Sequence, residues 1–194
     1  SVIVGPGAIG TLTCAHIQRF SRVFVFQHRP SINLPSTLKS DDQHHSLTWQ
    51  LLDSTDQNID IIWVCCKANQ VMFAVPPLLE QYPKAIAILL HNGMGPQQQL
   101  TAKFEHRIIT GSTTCGALKT GPLQFQQTSL GETQLGSKPG LSRQTELISS
   151  LMTEVNNQGP LQLRINNNIE EVLWRKLLIN ACINPITAYH QIKN

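Results

Sequence analysis

Apolar positions along the chain fall into short blocks divided by polar or glycine-rich breaks. Val2-Ile3-Val4 is a β-rich block that ends at once in Gly5-Pro6-Gly7-Ala8-Ile9-Gly10. The chain opens inside this block, so further residues are expected before Ser1. Residues 11–20 read as a helix with Leu12, Ala15, Ile17 and Phe20 as apolar contacts, and 23–26 as a second strand. Residues 31–42 are rich in polar side chains, Pro and Asn and read as loop; 46–52 read as a strand. The continuous apolar runs at 60–66 and 85–90 suit strands buried on both faces. Between them, 71–80 should be helical until Pro76 and Pro77 interrupt.

Residues 108–114 read as a further strand, after which Gly116-Ala117 and Gly121-Pro122 break the chain. Residues 123–127 and 133–135 alternate as a hairpin would. Residues 145–155 form an amphipathic helix with Leu147, Ile148, Leu151, Met152 and Val155 on its apolar side, and 161–165 a last short strand. Asn166-Asn167-Asn168 signals a cap. The helix that follows, 170–185, is apolar on most sides and is therefore expected to be buried. Pro185 should kink or end it. It also carries Lys176, Asn180 and Asn184 at four-residue spacing. Four residues advance a helix by about 400°, so a cation and two amides share one stripe. Unpaired buried polar groups cost several kcal/mol, so this stripe should face a partner, a cavity or a ligand. A Lys that snorkels to solvent is the plainer alternative.

Composition narrows the classes. The net charge is +3 with no basic block, so nucleic acid binding is not suggested. No apolar run is long enough to span a membrane. The five cysteines lie in apolar surroundings without a C-x-x-C pair, which favours reduced thiols and a cytoplasmic setting. His44-His45 after Asp41-Asp42 reads as a solvated loop rather than a metal site, since spacing places no further ligand; no metal is expected.

Strand, G-x-G-x-x-G, helix, strand is the context that gives the glycine motif meaning. Gly5 permits a tight turn, Gly7 lets the backbone approach a pyrophosphate, and Gly10 lets helix and strand pack closely. The phosphate meets the helix N-terminus. After the second strand an acid would suit NAD; the chain has Gln27-His28-Arg29-Pro30 instead. Arg29, with His28 as the other candidate, favours the 2′-phosphate of NADP. Lys67 and Asn92 each follow a parallel-type strand, the edge where open α/β sheets bind ligands.

With these residues in view, the chain resembles the ketopantoate reductases. The resemblance runs from the first strand to the end. It rests on the glycine loop 5–10, Lys67, His91-Asn92-Gly93-Met94-Gly95, Gly111-Ser112-Thr113-Thr114, and Leu173-Trp174-Arg175-Lys176 with Asn180 and Asn184-Pro185. It implies a Rossmann-like, doubly wound α/β domain with a mostly parallel sheet over 1–166. It further implies that 167–194 open a helical C-terminal substrate domain. Family members run about a hundred residues longer, so most of that domain is expected to lie beyond this chain. The implied reaction is reduction of ketopantoate to pantoate with NADPH, on the route to pantothenate and coenzyme A.

The resemblance makes the glycine loop (Gly5, Pro6, Gly7, Ala8, Ile9, Gly10), Lys67, Asn92 and Ala117 cofactor contacts. It makes Lys176 the proton donor and Asn180, Asn184 and Asn194 substrate contacts. The expected partner is a small 2-keto acid, with a homodimer left open. Two other readings compete: an NADP-linked oxidoreductase acting on a different small keto or hydroxy acid, and a non-catalytic NADP-binding regulatory module. Lys176 with both amides argues against the module, because a pure binder needs no proton donor.

Overall fold

The computed structural model describes residues 1–26, 34–40, 43–53, 58–136, 142–158 and 162–192. In chain order the elements are β1 (Val2–Val4), α1 (Ala8–Ile17), β2 (Phe24–Phe26), β3 (Thr37–Ser40), β4 (Gln43–Ser46), β5 (Gln50–Leu51), β6 (Ile61–Val64) and α2 (Ala68–Gln81). They continue with β7 (Ile86–Leu89), α3 (Pro96–Phe104), β8 (Ile108–Thr113), β9 (Gly116–Gly121), β10 (Gln124–Ser129) and β11 (Glu132–Leu135). The last three are α4 (Ser142–Gln158), β12 (Gln162–Ile165) and α5 (Ile169–His190).

Eight strands form one sheet in the order β12-β11-β8-β7-β6-β1-β2-β5. Every pair from β5 to β8 is parallel; β11 runs antiparallel to β8 and parallel to β12. This is the Rossmann-like, mostly parallel α/β arrangement that the glycine motif and buried runs predict. Alternate side chains of the central strands serve two cores. Ile3, Ile61, Trp63, Ile86 and Ile88 face α1, α4 and the smaller sheet. Val2, Val4, Ile62, Val64, Ala87 and Leu89 face α2 and Leu100 of α3. Burial on both faces explains why β1, β6 and β7 read as unbroken apolar runs.

The smaller sheet, β4-β3-β10-β9, covers α1. Sandwiched so, α1 is buried from Gly10 to Ile17 and starts three residues earlier than its apolar periodicity suggests, ending before Phe20. This sheet is also where sequence patterning misled. Residues 37–40 are strand rather than loop, with Leu38 fully buried and Ser40 buried beside it. One apolar residue in four gives no period; pairing with β4 and β10 specifies the strand. His44 and His45 lie in β4 opposite Lys39 and Leu38, not in a loop; Asp41 and Asp42 lie outside the described residues. The strand expected over 46–52 shrinks to Gln50–Leu51, Ser46 closing β4.

Residues 116–121, expected as a break, are edge strand β9. Its glycines sit at the two ends, where the register with β10 shifts. The expected hairpin between 123–127 and 133–135 does not form. β10 pairs with β9 and β3, whereas β11 joins the large sheet.

Two helices run through prolines. α2 continues past Pro76 and Pro77, because Val71, Ala74, Val75, Leu78 and Leu79 are buried on one side while Pro77 faces solvent. The end of α2 is held by Arg107, whose guanidinium donates to the carbonyls of Leu79 (2.8 Å), Tyr82 (2.6 Å) and Ala85 (2.8 Å). α5 continues past Pro185 to His190, and the Thr187 hydroxyl donates to the carbonyl of Ile183 at 3.0 Å. Nor is α5 buried: only Leu173 is, while Trp174, Leu178, Ile179, Ile183, Ile186 and Tyr189 are exposed. Among the described residues, no helix is long and apolar enough to cross a membrane.

Candidate active site

β1, β6 and β7 lie side by side, so the loops at their carboxyl ends open along one edge of the sheet. These loops carry Gly5, Lys67 and Asn92 respectively. Gly5 has φ +96°, and a Cβ there would lie 2.7 Å from both the Cα and the N of Cys66. A Cβ on Gly10 would collide with the Gly5 carbonyl oxygen and lie 3.1 Å from Ile3 Cγ2. Gly7 is different: among the described residues, nothing lies within 4 Å of where its Cβ would be. It is the N-cap of α1, and no side chain caps that helix. First-turn N–H groups have no intrahelical acceptor, and the helix dipole adds positive potential there. The loop is thus closed behind Gly5 and Gly10 and open at Gly7. That cradle fits the pyrophosphate of a dinucleotide.

Pro6 bridges the first two glycines, and Ala8 and Ile9 form the first turn of α1, with the Thr13 hydroxyl donating to the Ile9 carbonyl at 2.8 Å. Lys67 is the exposed N-cap of α2; its backbone N–H donates to Gln70 Oε1 at 3.3 Å. His28, Arg29 and Asn194 lie outside the described residues. Ala117, half-buried on β9 opposite Gln127, is not among the residues lining the crevice described next.

The second wall is α5. Its start is fixed by Asn166, whose Oδ1 accepts from the Asn168 N–H at 2.7 Å, and by Asn168 Nδ2, which donates to Glu171 Oε2 at 2.7 Å. The polar stripe then turns toward the end of β8. Lys176 Nζ donates to the Thr113 carbonyl at 2.9 Å. A narrow crevice of about 270 Å³, counting space open to solvent, has Lys176 and Asn180 on one side. On the other are His91, Asn92 and Ser112. So the structure brings Lys176, Asn180 and Asn92 together. It leaves Asn184 one turn further along α5, exposed and outside that lining. A wider groove between α3 and the start of α5 shares only Met94 and Leu173 with this crevice.

Burial pushes the Lys176 ammonium below the usual lysine pKa, with the nearby Cys115 acting the other way. Burial also lowers the pKa of His91, against a contact of its Nδ1 with the Asn92 carbonyl at 3.3 Å. Burial raises Cys65 to about 12 and Cys66 to about 11, so neither offers a thiolate beside the glycine loop. Among the described residues, no three or more His, Cys, Asp or Glu side chains gather as a metal site. What the crevice offers chemically is one cation that can both stabilise an oxyanion and release a proton, flanked by neutral amides.

Ser112 and the Thr113 carbonyl belong to this site but carry no role legible in the sequence. A backbone acceptor leaves no side-chain signal; the run Gly111-Ser112-Thr113-Thr114 marks only the place.

A model of the ketopantoate reductase PanE/ApbA family matches residues 1–140. A 2-dehydropantoate 2-reductase of Vibrio cholerae is 34% identical over 199 residues, covering 100% of this chain and 64% of its own length. The chain thus spans 64% of that relative. A probable 2-dehydropantoate 2-reductase from Bacillus subtilis superposes with a TM-score of 0.79 at 23% identity, over 99% of this chain and 66% of that one. A D-mandelate dehydrogenase, in a ternary structure with NADH and anilino(oxo)acetate, superposes at 0.78 with 18% identity, over 96% of this chain and 63% of that one. At these identities the two superpositions speak for the fold.

Proposed function

Since the chain belongs to the ketopantoate reductase family, we propose that it carries the cofactor domain and first substrate-facing helix of an NADPH-dependent 2-dehydropantoate 2-reductase. In this reading residues 1–166 hold NADPH and 167–194 open the helical substrate domain. The product, pantoate, leads to pantothenate and coenzyme A, and the setting is cytoplasmic. The observation that carries the reading is the single crevice shared by Lys176, Asn180 and Asn92 at the sheet edge that also bears the open glycine loop.

The chemistry NADPH supplies when bound is hydride donation. The residues that would hold it are Gly5, Pro6, Gly7, Ala8, Ile9 and Gly10 at the pyrophosphate, with Lys67, Asn92 and Ala117 further along. Arg29 or His28 would read the 2′-phosphate. As a ketone is reduced, negative charge gathers on its oxygen. Lys176 stabilises that charge and gives the oxygen its proton. A pKa lowered by burial makes this ammonium a readier acid. Asn180 orients the substrate through neutral donor and acceptor groups, and Asn184 and Asn194 are the further substrate contacts of this reading.

Titration of the protein with each cofactor tests the first half of the reading. NADPH should bind at least about tenfold more tightly than NADH, about 1.4 kcal/mol. Equal affinities would remove the 2′-phosphate assignment. Because a similar fold also serves a D-mandelate dehydrogenase, a panel of 2-keto acids tests the second half. Ketopantoate should be preferred; preference for another keto acid would leave the NADP-linked chemistry but change the substrate.

A further inference from the structure

The end of β8 is tied down more thoroughly than a strand end requires. Thr113 faces Thr133 across the antiparallel β8–β11 pair. Both side chains are buried, Thr133 completely. The Thr133 hydroxyl donates to Thr113 Oγ1 at 2.9 Å, and the Cys115 N–H donates to the same oxygen at 3.2 Å. The next residue is held too: the Glu132 N–H donates to Thr114 Oγ1 at 3.0 Å, and the Thr114 N–H donates to the Glu132 carbonyl at 3.0 Å. The residue fixed by these bonds presents its carbonyl to Lys176 Nζ at 2.9 Å.

A valine has nearly the shape of a threonine, so packing alone does not explain two hydroxyls bonded to each other in a core. A buried hydroxyl pair of this kind is costly unless each group finds its partner. Here the bond fixes the peptide unit that Lys176 docks on. A lysine has four rotatable stem bonds and loses much rotamer freedom when its end is held. A loosely placed acceptor would let the ammonium swing out to water.

We propose that Thr133 is a positioning residue. Through its hydroxyl it fixes Thr113, and the Thr113 carbonyl in turn holds the Lys176 ammonium at the rim of the crevice. Thr133 itself does not line the crevice. The pairing rests on hydrogen bonds within this chain; its catalytic meaning rests on the ketopantoate reductase reading.

The test uses competitive acetylation of the intact protein with acetic anhydride over a pH series, reading Lys176 by peptide mass spectrometry. This gives the titration midpoint of Lys176 without any turnover. In the unsubstituted protein that midpoint should lie below the ordinary lysine value, as burial dictates. A midpoint at the ordinary value that neither Val variant moves would overturn the docked lysine. Thr133→Val and, independently, Thr113→Val should release the ammonium to water and raise the midpoint by about half a pH unit or more. Thr133→Ser keeps the hydroxyl and should match the unsubstituted protein. A folded Val variant with an unmoved midpoint, or a Ser variant that behaves like Val, would contradict the proposal.

Steady-state NADPH oxidation with ketopantoate is run alongside. Thr133→Val should lower kcat about tenfold with KM for NADPH unchanged, and the basic limb of the kcat–pH profile should move with the labelling midpoint. No turnover in any form, with the labelling shift present, would sink the functional reading and leave the positioning intact. Turnover with unmoved labelling would do the reverse.

Discussion

Asn180 and Lys176 sit one turn apart on α5, and both are legible in the amino-acid sequence, because four-residue spacing puts them on one stripe. Asn180→Ala should raise KM for ketopantoate with a smaller effect on kcat, since an orienting amide serves bound substrate and transition state alike; a kcat loss without a KM change would instead place Asn180 in the chemistry. The stripe does not reveal its own length. Asn184 shares the spacing but not the crevice, whose α5 lining runs from Leu173 to Asn180 beside Gly111 and Ser112 of β8. His16 carries no signal of this kind. It is buried in α1, its Nε2 finds no partner among the described residues, and burial with nearby Arg19 and His45 lowers its pKa to about 4. The sign follows from linkage. The unfolded imidazole protonates near pH 6.5 and the folded one near 4, so His16 favours the fold above pH 6.5. That stability is lost as pH falls between those values, up to about 3 kcal/mol. Urea unfolding at pH 7 and pH 4.5 should show the loss, and His16→Gln should flatten it. An unchanged pH dependence in that variant would show that other groups carry it.

At the scale of elements, the glycine loop separates folding from binding. Gly5→Ala puts a methyl against the Cys66 backbone at positive φ and should cost about 2 kcal/mol or more of stability. Gly7→Ala meets none of the described residues and should leave the melting temperature nearly unchanged, yet weaken NADPH binding about tenfold or more by filling the open cradle. Differential scanning calorimetry and fluorescence titration read the two effects. Equal NADPH affinity in Gly7→Ala would mean that the phosphate lies elsewhere. The central strands β1, β6 and β7 and the helix α4 are readable in the sequence because two-sided burial and a helical stripe leave plain patterns. The smaller sheet is not, because β3 and β9 hold their place by pairing with β10 rather than by any period of their own. The prolines of α2 and α5 mislead in a similar way. Tertiary burial of Val71, Ala74, Val75, Leu78 and Leu79 outweighs the local penalty in α2. In α5 the helix runs on past Pro185 while largely exposed, and its contacts give no comparable reason.

Over the whole molecule, two cores account for the large sheet, while α5 rests on it mainly through β8. The exposed Trp174, Leu178, Ile179, Ile183, Ile186 and Tyr189 make a contiguous helix an adhesive one. Light scattering on a chain of this length should therefore show self-association that weakens when Leu178 and Ile183 are both replaced by Gln. A strictly monomeric protein at high concentration would contradict this. With α5 so open in these 194 residues, water is poorly excluded from the crevice, and their turnover should be slow. Slow chemistry calls for a single-turnover design. Protein in excess is mixed with NADPH and ketopantoate, and the loss of NADPH absorbance is followed beside a Lys176→Ala variant. The account predicts a ketopantoate-dependent decay that slows about a hundredfold or more in the variant, while NADPH affinity is the same in both. A decay of equal rate in both proteins, or none in the unsubstituted protein with NADPH demonstrably bound, would contradict it.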